Sequence, residues 1–260
     1  MLFYHALNGT VPGDAPKTTK PRKGEKVQAM HKNNSNDNLD VMNPAPRCPV
    51  VLLLDASGSM SGQPINELNA AVKQFIRETQ GDEAASMSVD LEVIAYADDA
   101  ERVLPFTPIA NVSALPGDID AAGMTSMGKA IEMAEADLRT RRELYRAKGI
   151  SSYRPWVVLM TDGGPNDSWE APADRFRRAA ERGKFQYIGI EIGNDADHAT
   201  MCRIVPAEPG PVKLQGLRFK QFFRWLTDSL KSVSASAVSD QDAVQYGDVS
   251  SWADLDALCA

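Results

Sequence analysis

The side chains best suited to chemistry in this sequence are five oxygen donors in three separate segments. Asp55, Ser57 and Ser59 alternate in DASGS, Thr125 lies in GMTSMG, and Asp162 lies in TDGGPND. Carboxylate and hydroxyl oxygens suit hard divalent cations, Mg²⁺ first, with Mn²⁺ or Ca²⁺ as alternatives, whereas zinc and copper favour nitrogen and sulfur. The residue types therefore predict a divalent-cation site.

This donor set is incomplete in two respects. Two carboxylates and three hydroxyls do not fill the shell of such an ion, so water or a carboxylate from outside the chain must complete it. The segments also contain no evident base. Of the three histidines, only His198 lies in the predicted core, and we interpret it as a surface or helix-capping residue beside Asp195 and Asp197. The pattern favours binding over catalysis, and we expect no enzymatic activity.

Two apolar runs position the carboxylates. Residues 50–54 and 156–160 lack polar alternation, which indicates strands buried on both faces, as in parallel sheets. Asp55 directly follows the first run, and Asp162 follows the second after Thr161. Because open α/β sheets bind ligands beyond the carboxyl ends of their strands, the two aspartates meet in one crevice if these strands are neighbours.

Strands and helices alternate along the rest of the core, with Asp167 and Glu170 spaced as a capping box. The order predicts an α/β fold, a Rossmann-like three-layer open sheet that is mainly parallel with one antiparallel edge strand and has helices on both faces. The predicted elements are a helix from Pro64, a hairpin of 87–96 and 102–106 with the second run at the edge, a helix from Gly128, a helix over 168–182, a strand over 185–192, a short helix over 198–204, a final edge strand over 211–214 and a helix over 217–231.

Composition changes at both ends of this core. Residues 1–46 are rich in Pro, Gly, Asn, Lys and Thr, which predicts a mostly disordered segment. Residues 47–232 form the predicted domain. Residues 233–260 begin Ser/Ala-rich and become acidic, which predicts a tail, pinned by Trp252 and Leu255.

Charge and cysteine content exclude several classes of function. The net charge of −7 argues against nucleic-acid binding, which needs a basic face. No apolar run approaches the length of a membrane span, and the first residues do not resemble a signal peptide. Three widely separated cysteines without metal-ligand spacing suggest a reducing cytoplasm.

The three segments together resemble the metal-ion-dependent adhesion site of the von Willebrand factor A family. The resemblance spans residues 47–232 and depends on the order of Asp55-x-Ser57-x-Ser59, Thr125 and Thr161-Asp162-Gly163. It implies that the first four donors hold the ion directly or through water, and that Asp162 acts directly or by orienting a water. It also implies that a partner protein supplies a Glu or Asp as the missing ligand.

Residues 217–234 and 161–167 further resemble the bacterial TerY-like branch of that family, which is associated with tellurium resistance. This resemblance implies a regulatory or scaffold role in stress or phage defence, with a protein kinase and a PP2C-type phosphatase as partners. The oligomeric state stays open.

Two other functions stay open. An adaptor for an AAA+ ATPase complex would use the same site and differ only in its partner. A phosphatase of the haloacid dehalogenase type would use Asp55 as nucleophile, but that chemistry needs a second aspartate two residues on, where this chain has Ser57. Asn166 and Asp167 are candidates for tuning the site, although helix capping is the favoured explanation for Asp167.

Overall fold

The two apolar runs form neighbouring strands at the centre of the sheet. The computed structural model describes residue 39 and residues 42–113, 117–239 and 247–254. In it the runs are β1 (Cys48–Asp55) and β4 (Trp156–Thr161), which pair in parallel with Leu54 opposite Met160. Every residue of both strands is buried, which explains the absence of polar alternation.

The described residues form one seven-stranded sheet with the order β3-β2-β1-β4-β5-β6-β7. The five strands from β2 to β6 in this order pair in parallel, so the predicted mainly parallel sheet is confirmed, with β3 as its antiparallel edge. A second antiparallel strand, β7, pairs outside β6, so residues 211–214 do not form the final edge that the sequence predicts. The remaining strands are β2 (Val89–Tyr96), β3 (Ala100–Pro108), β5 (Gln186–Glu191), β6 (Val212–Leu214) and β7 (Ala253–Asp254).

Helices cover both faces of the sheet and complete the three layers. Val50, Leu52 and Leu54 of β1 share one apolar cluster with the first and last long helices, whereas Val51 and Leu53 share another with the helices that flank β4. The alternation of side chains along a strand thus separates the two cores. The first face carries α1 (Gln63–Gln80), α2 (Glu83–Ser88) and α6 (Phe219–Ser234), and the second carries α3 (Met127–Lys148), α4 (Glu170–Glu181) and α5 (His198–Ile204).

The segment 247–254 packs on the core. Trp252 is 1% exposed, and its ring lies 5.0 Å from that of Phe222 and 5.3 Å from that of Trp225. Its carbonyl accepts a hydrogen bond from Gln215 N at 2.8 Å. Trp252 therefore pins this part of the acidic segment, as the sequence predicts, whereas Leu255 and most of the segment 1–46 lie outside the described residues.

A buried ion pair joins the amino end of β2 to α3. Arg141 Nη2 donates to Asp90 Oδ2 at 2.7 Å, and Tyr145 OH donates to the same oxygen. All three side chains are almost completely buried. The contact secures the carboxyl half of α3, the helix whose opposite end carries the loop of Thr125.

Candidate metal centre

The loop after β1 folds its three donors back toward one another. Asp55 Oδ1 accepts a hydrogen bond from Ser57 N at 2.8 Å, which closes a tight turn, and a single 3₁₀ turn over Gly58–Met60 follows. Ser57 Oγ and Ser59 Oγ then lie 3.0 Å apart. Asp55 and Ser57 are buried, whereas Ser59 is exposed, so the hydroxyls lead from the sheet to the surface.

The loop after β4 meets this turn directly. Ser59 Oγ donates to Asp162 Oδ1 at 2.7 Å, and Thr161 Oγ1 donates to Asp55 Oδ2 at 2.6 Å. The parallel pairing of β1 and β4 brings the two strand ends together, as expected at this edge of an open sheet. Thr161 is a contact residue that the sequence indicates only as the neighbour of Asp162.

The loop that contains Thr125 lies against both other loops through backbone groups. The N–H of Thr125 donates to Asn166 Oδ1 at 2.8 Å, and its carbonyl accepts from Asn166 N at 3.2 Å. On the other side of the loop, Gly58 N donates to Gly123 O at 3.0 Å. The side chain of Thr125 is 7% exposed. The structure thus joins Asp55, Ser57, Ser59 and Asp162 through side-chain contacts and brings in Thr125 through the main chain.

A third support for the Thr125 loop comes from the turn between β2 and β3. Asp98 Oδ1 accepts from Met124 N at 2.9 Å, and the carbonyl of Asp98 accepts from Ser126 Oγ at 2.9 Å. Gly123 has a φ of 80°, and a Cβ there would meet Asp98 Oδ1 at 2.5 Å. Only glycine suits this position, because it alone combines a positive φ with that close approach.

Asp167 caps a different helix from the one predicted. Its two carboxylate oxygens each accept a hydrogen bond at 3.0 Å, from Gly128 N and Lys129 N at the amino end of α3. The predicted capping box with Glu170 is wrong: the N-cap of α4 is Trp169, without a side-chain hydrogen bond. A contact across the chain replaces the local one, because α3 starts beside this loop and lacks a side-chain cap from Ser126.

Three of the five donors are spaced like neighbouring ligands of a magnesium ion. Neighbouring ligands of an octahedral Mg²⁺ lie about 2.9 Å apart, close to the 3.0 Å between Ser57 Oγ and Ser59 Oγ and the 2.7 Å between Ser59 Oγ and Asp162 Oδ1. Within the described residues, no cluster of three or more His, Cys, Asp and Glu side chains could hold a metal. A cation here therefore depends on hydroxyl ligands beside two carboxylates.

Opposing effects set the charge state of Asp55. Burial raises the pKa of its carboxyl, and the nearby Asp162 acts in the same direction, while hydrogen bonds from Ser57 and Thr161 lower it. The net pKa lies above the ordinary value for aspartate. Two close carboxylates in a partly buried crevice are an arrangement that a divalent cation would stabilise.

The geometry offers little to an Asp55 nucleophile. Both carboxylate oxygens already accept hydrogen bonds, and the side chain is fully buried. His198, at the start of α5, instead pairs with the buried Glu191 through a contact of 2.8 Å from its Nδ1. Asp197 is the cap of α5, accepting from Thr200 N at 3.0 Å. The cap of this helix is thus Asp197, and His198, interpreted from the sequence as a surface or helix-capping residue, is a half-exposed residue beside it. Glu191 belongs to the end of β5 and has no local signal that predicts its contact with His198.

Comparison with known proteins identifies the domain. Residues 50–216 match the family model of the von Willebrand factor type A domain. Inter-alpha-trypsin inhibitor heavy chain H3 from Bos taurus is 26% identical over 157 residues, a match that covers 57% of this chain and 17% of that protein. The chain thus spans less than a fifth of the length of this curated relative.

Solved structures show the same fold. A von Willebrand factor type A protein from Catenulispora acidiphila superposes with a TM-score of 0.55 at 19% identity, covering 72% of this chain and 43% of that one. Proximal thread matrix protein 1 from the mussel byssus gives 0.52 at 16% identity, covering 73% and 46%. A further structure of the mussel protein, with a zinc-occupied MIDAS motif, gives 0.51 at 17% identity, covering 74% and 47%. Within the described residues, none of the helices combines the length and apolar character needed to span a bilayer.

Proposed function

Because this chain belongs to the von Willebrand factor type A domain family, we propose that it is a protein-binding module that holds an acidic side chain of a partner through a divalent cation. The observation that carries this proposal is the close contact of Ser57, Ser59 and Asp162 across two neighbouring strands. Asp55 and Thr125 complete the proposed metal site, a metal-ion-dependent adhesion site. A Glu or Asp of the partner would supply the remaining ligand.

Magnesium is the proposed ion. The donors are all oxygens, which suit Mg²⁺, Mn²⁺ or Ca²⁺ better than softer metals. Zinc occupies the corresponding motif in the mussel byssus protein, and a zinc titration is therefore a useful comparison. The site of this chain offers neither imidazole nor thiolate among its five donors, so we expect Mg²⁺ to be preferred at cellular concentrations.

We propose that the chain acts without catalysing a reaction itself. The five donors include hydroxyls and carboxylates but no group poised as a general acid, because Ser57 stands where a phosphatase of the haloacid dehalogenase type needs an aspartate. Assignment to the TerY-like tellurium-resistance branch, to a cytoplasmic stress or phage-defence system, and to a kinase and a PP2C-type phosphatase as partners stays a prediction. An AAA+ ATPase as the partner is the alternative.

The proposal is tested first with the metal alone. Isothermal titration of the purified chain with MgCl₂ and MnCl₂ should show one site, and Asp55→Ala should abolish it while far-ultraviolet circular dichroism stays unchanged. Saturable binding that survives in Asp55→Ala would refute the site. Asp82→Ala is the control, since Asp82 caps α2 through Ala85 N and contacts none of the five donors.

The partner is tested second. The neighbouring genes should distinguish a kinase and phosphatase pair from an ATPase, and the purified products of those genes are then the probes. We expect capture in Mg²⁺ and its loss in EDTA or with Thr125→Ala. Capture that is equal in EDTA would contradict metal-dependent binding, and turnover of a phosphatase substrate that is lost in Asp55→Asn would favour the enzyme.

A further inference from the structure

We infer that Asn166 is a positioning residue that sets the place of Thr125 at the metal site, an inference that rests on the proposed function. Asn166 and Thr125 exchange two hydrogen bonds, from Thr125 N to Asn166 Oδ1 at 2.8 Å and from Asn166 N to Thr125 O at 3.2 Å. This pair joins the second and third loops of the site. The side chain of Asn166 is exposed, so burial does not account for its contact.

Asp167 strengthens the same junction. It caps the amino end of α3 through Gly128 N and Lys129 N, both at 3.0 Å, directly after the segment that contains Thr125. The loops approach so closely that a Cβ on Gly128 would lie 2.8 Å from Trp169 Cα. The carboxylate of Asp167 also offsets the partial positive charge of the helix terminus, which would otherwise oppose a cation nearby. Asn166 and Asp167 thus hold the Thr125 loop in place through hydrogen bonds with main-chain groups of residues 125, 128 and 129.

The role assigned to Asn166 predicts different effects on the binding of Mg²⁺ and Ca²⁺. Mg²⁺ demands near-ideal octahedral geometry at short ligand distances, whereas Ca²⁺ accepts longer and more variable contacts. A Thr125 hydroxyl that loses its fixed position should therefore impair Mg²⁺ binding more than Ca²⁺ binding. A general loss of structure would weaken both ions alike, and so the ratio of the two affinities separates positioning from destabilisation.

Two variants test the inference. Asn166→Ala removes the acceptor for Thr125 N–H, and we expect about a 10-fold to 100-fold loss of Mg²⁺ affinity with a smaller loss for Ca²⁺. Asn166→Asp keeps an oxygen at the same place and should retain the wild-type ratio of Mg²⁺ to Ca²⁺ affinity. Asp82→Ala is the control, because Asp82 caps α2 through Ala85 N and contacts none of the five donors. Its metal affinities should equal those of the wild type.

A double-mutant cycle completes the test. If Asn166 acts through Thr125, then adding Asn166→Ala to Thr125→Ala should change Mg²⁺ affinity by less than about twofold. Equal Mg²⁺ affinity in wild type and Asn166→Ala, or a full additional loss in the double variant, would overturn the inference while leaving the metal site standing. No Mg²⁺ binding by the wild type would overturn the proposed function and the inference together. Calorimetric titration of each variant, after thermal unfolding confirms its fold, gives all these values.

Discussion

Asp55→Asn separates the charge of this residue from its shape. In the wild type, Oδ1 accepts from Ser57 N and Oδ2 accepts from Thr161 Oγ1. An asparagine keeps the first acceptor and places an amide nitrogen near Thr161, whose hydroxyl already accepts from Gly163 N at 3.2 Å and can rotate to accept a second bond. The fold should therefore survive the substitution.

The effect on stability should reverse sign with magnesium. In EDTA at pH 7, the variant should be at least as stable as the wild type, because burial and Asp162 both disfavour the charge of Asp55 and raise its pKa. Mg²⁺ at about 100 times its Kd stabilises the wild type by about 2.7 kcal/mol. For a domain of this size, that raises Tm by roughly 5 to 11 °C, whereas the variant should gain little.

Scanning calorimetry in MgCl₂, and in NaCl at matched ionic strength, measures Tm with and without magnesium. Asp82→Asn serves as the control, since it alters the N-cap of α2 without touching the site, and its Tm should rise with Mg²⁺ as in the wild type. An equal Mg²⁺-induced rise in Asp55→Asn would show that Asp55 contributes no charge to metal binding. A large loss of stability in EDTA would show instead that the carboxylate has a structural role.

Three further substitutions probe the scaffold. Trp252→Ala should lower the free energy of unfolding, measured by urea denaturation, by about 3 to 5 kcal/mol, because the side chain is 1% exposed against α6. A loss of only about 0.5 kcal/mol, as at exposed sites, would refute the packing of segment 247–254 on the core. Gly128→Ala should weaken Mg²⁺ affinity, since its Cβ would lie 2.8 Å from Trp169 Cα, whereas Gly81→Ala, with its nearest contact at 3.5 Å, should leave titrations unchanged. Glu92→Gln should flatten the pH dependence of stability, because burial raises the pKa of Glu92 well above its ordinary value. As pH rises from the ordinary toward the raised pKa, the wild type loses up to about 1.4 kcal/mol of stability per pH unit. Parallel profiles of stability against pH for both proteins would refute this.

The predictable part of this molecule is the part whose signals are local. Residues 50–54 and 156–160 read as buried strands from their own side chains, and strand order then brings Asp55 and Asp162 together at one edge. The helix from Pro64 is likewise found as α1, with Ile65, Leu68 and Phe75 buried on one face. Periodicity carries this information because each element must bury its apolar side against the sheet.

The contacts that the sequence does not reveal connect residues far apart in the chain. Asp167 has a local spacing that suggests one helix cap, yet it caps α3, because that helix begins at the same sheet edge and lacks a cap of its own. β7 has only two residues in a polar segment, and no alternation is detectable over that length. Its place follows from the burial of Trp252, which a sequence pattern does not assign to a partner surface.

The chemistry of the donors explains why such a site should bind a partner. The loop after β1 presents the neutral hydroxyls of Ser57 and Ser59, and Ser59 meets Asp162 of the loop after β4. Both oxygens of Asp55 are already engaged with Ser57 N and Thr161 Oγ1. Hydroxyl ligands do not neutralise an ion, so a Mg²⁺ held mainly by them would keep much of its charge. A further carboxylate from outside the chain would then bind more strongly than it would to an ion surrounded by acidic side chains. The scarcity of carboxylates that argues against catalysis is thus the same property that favours capture of an acidic partner.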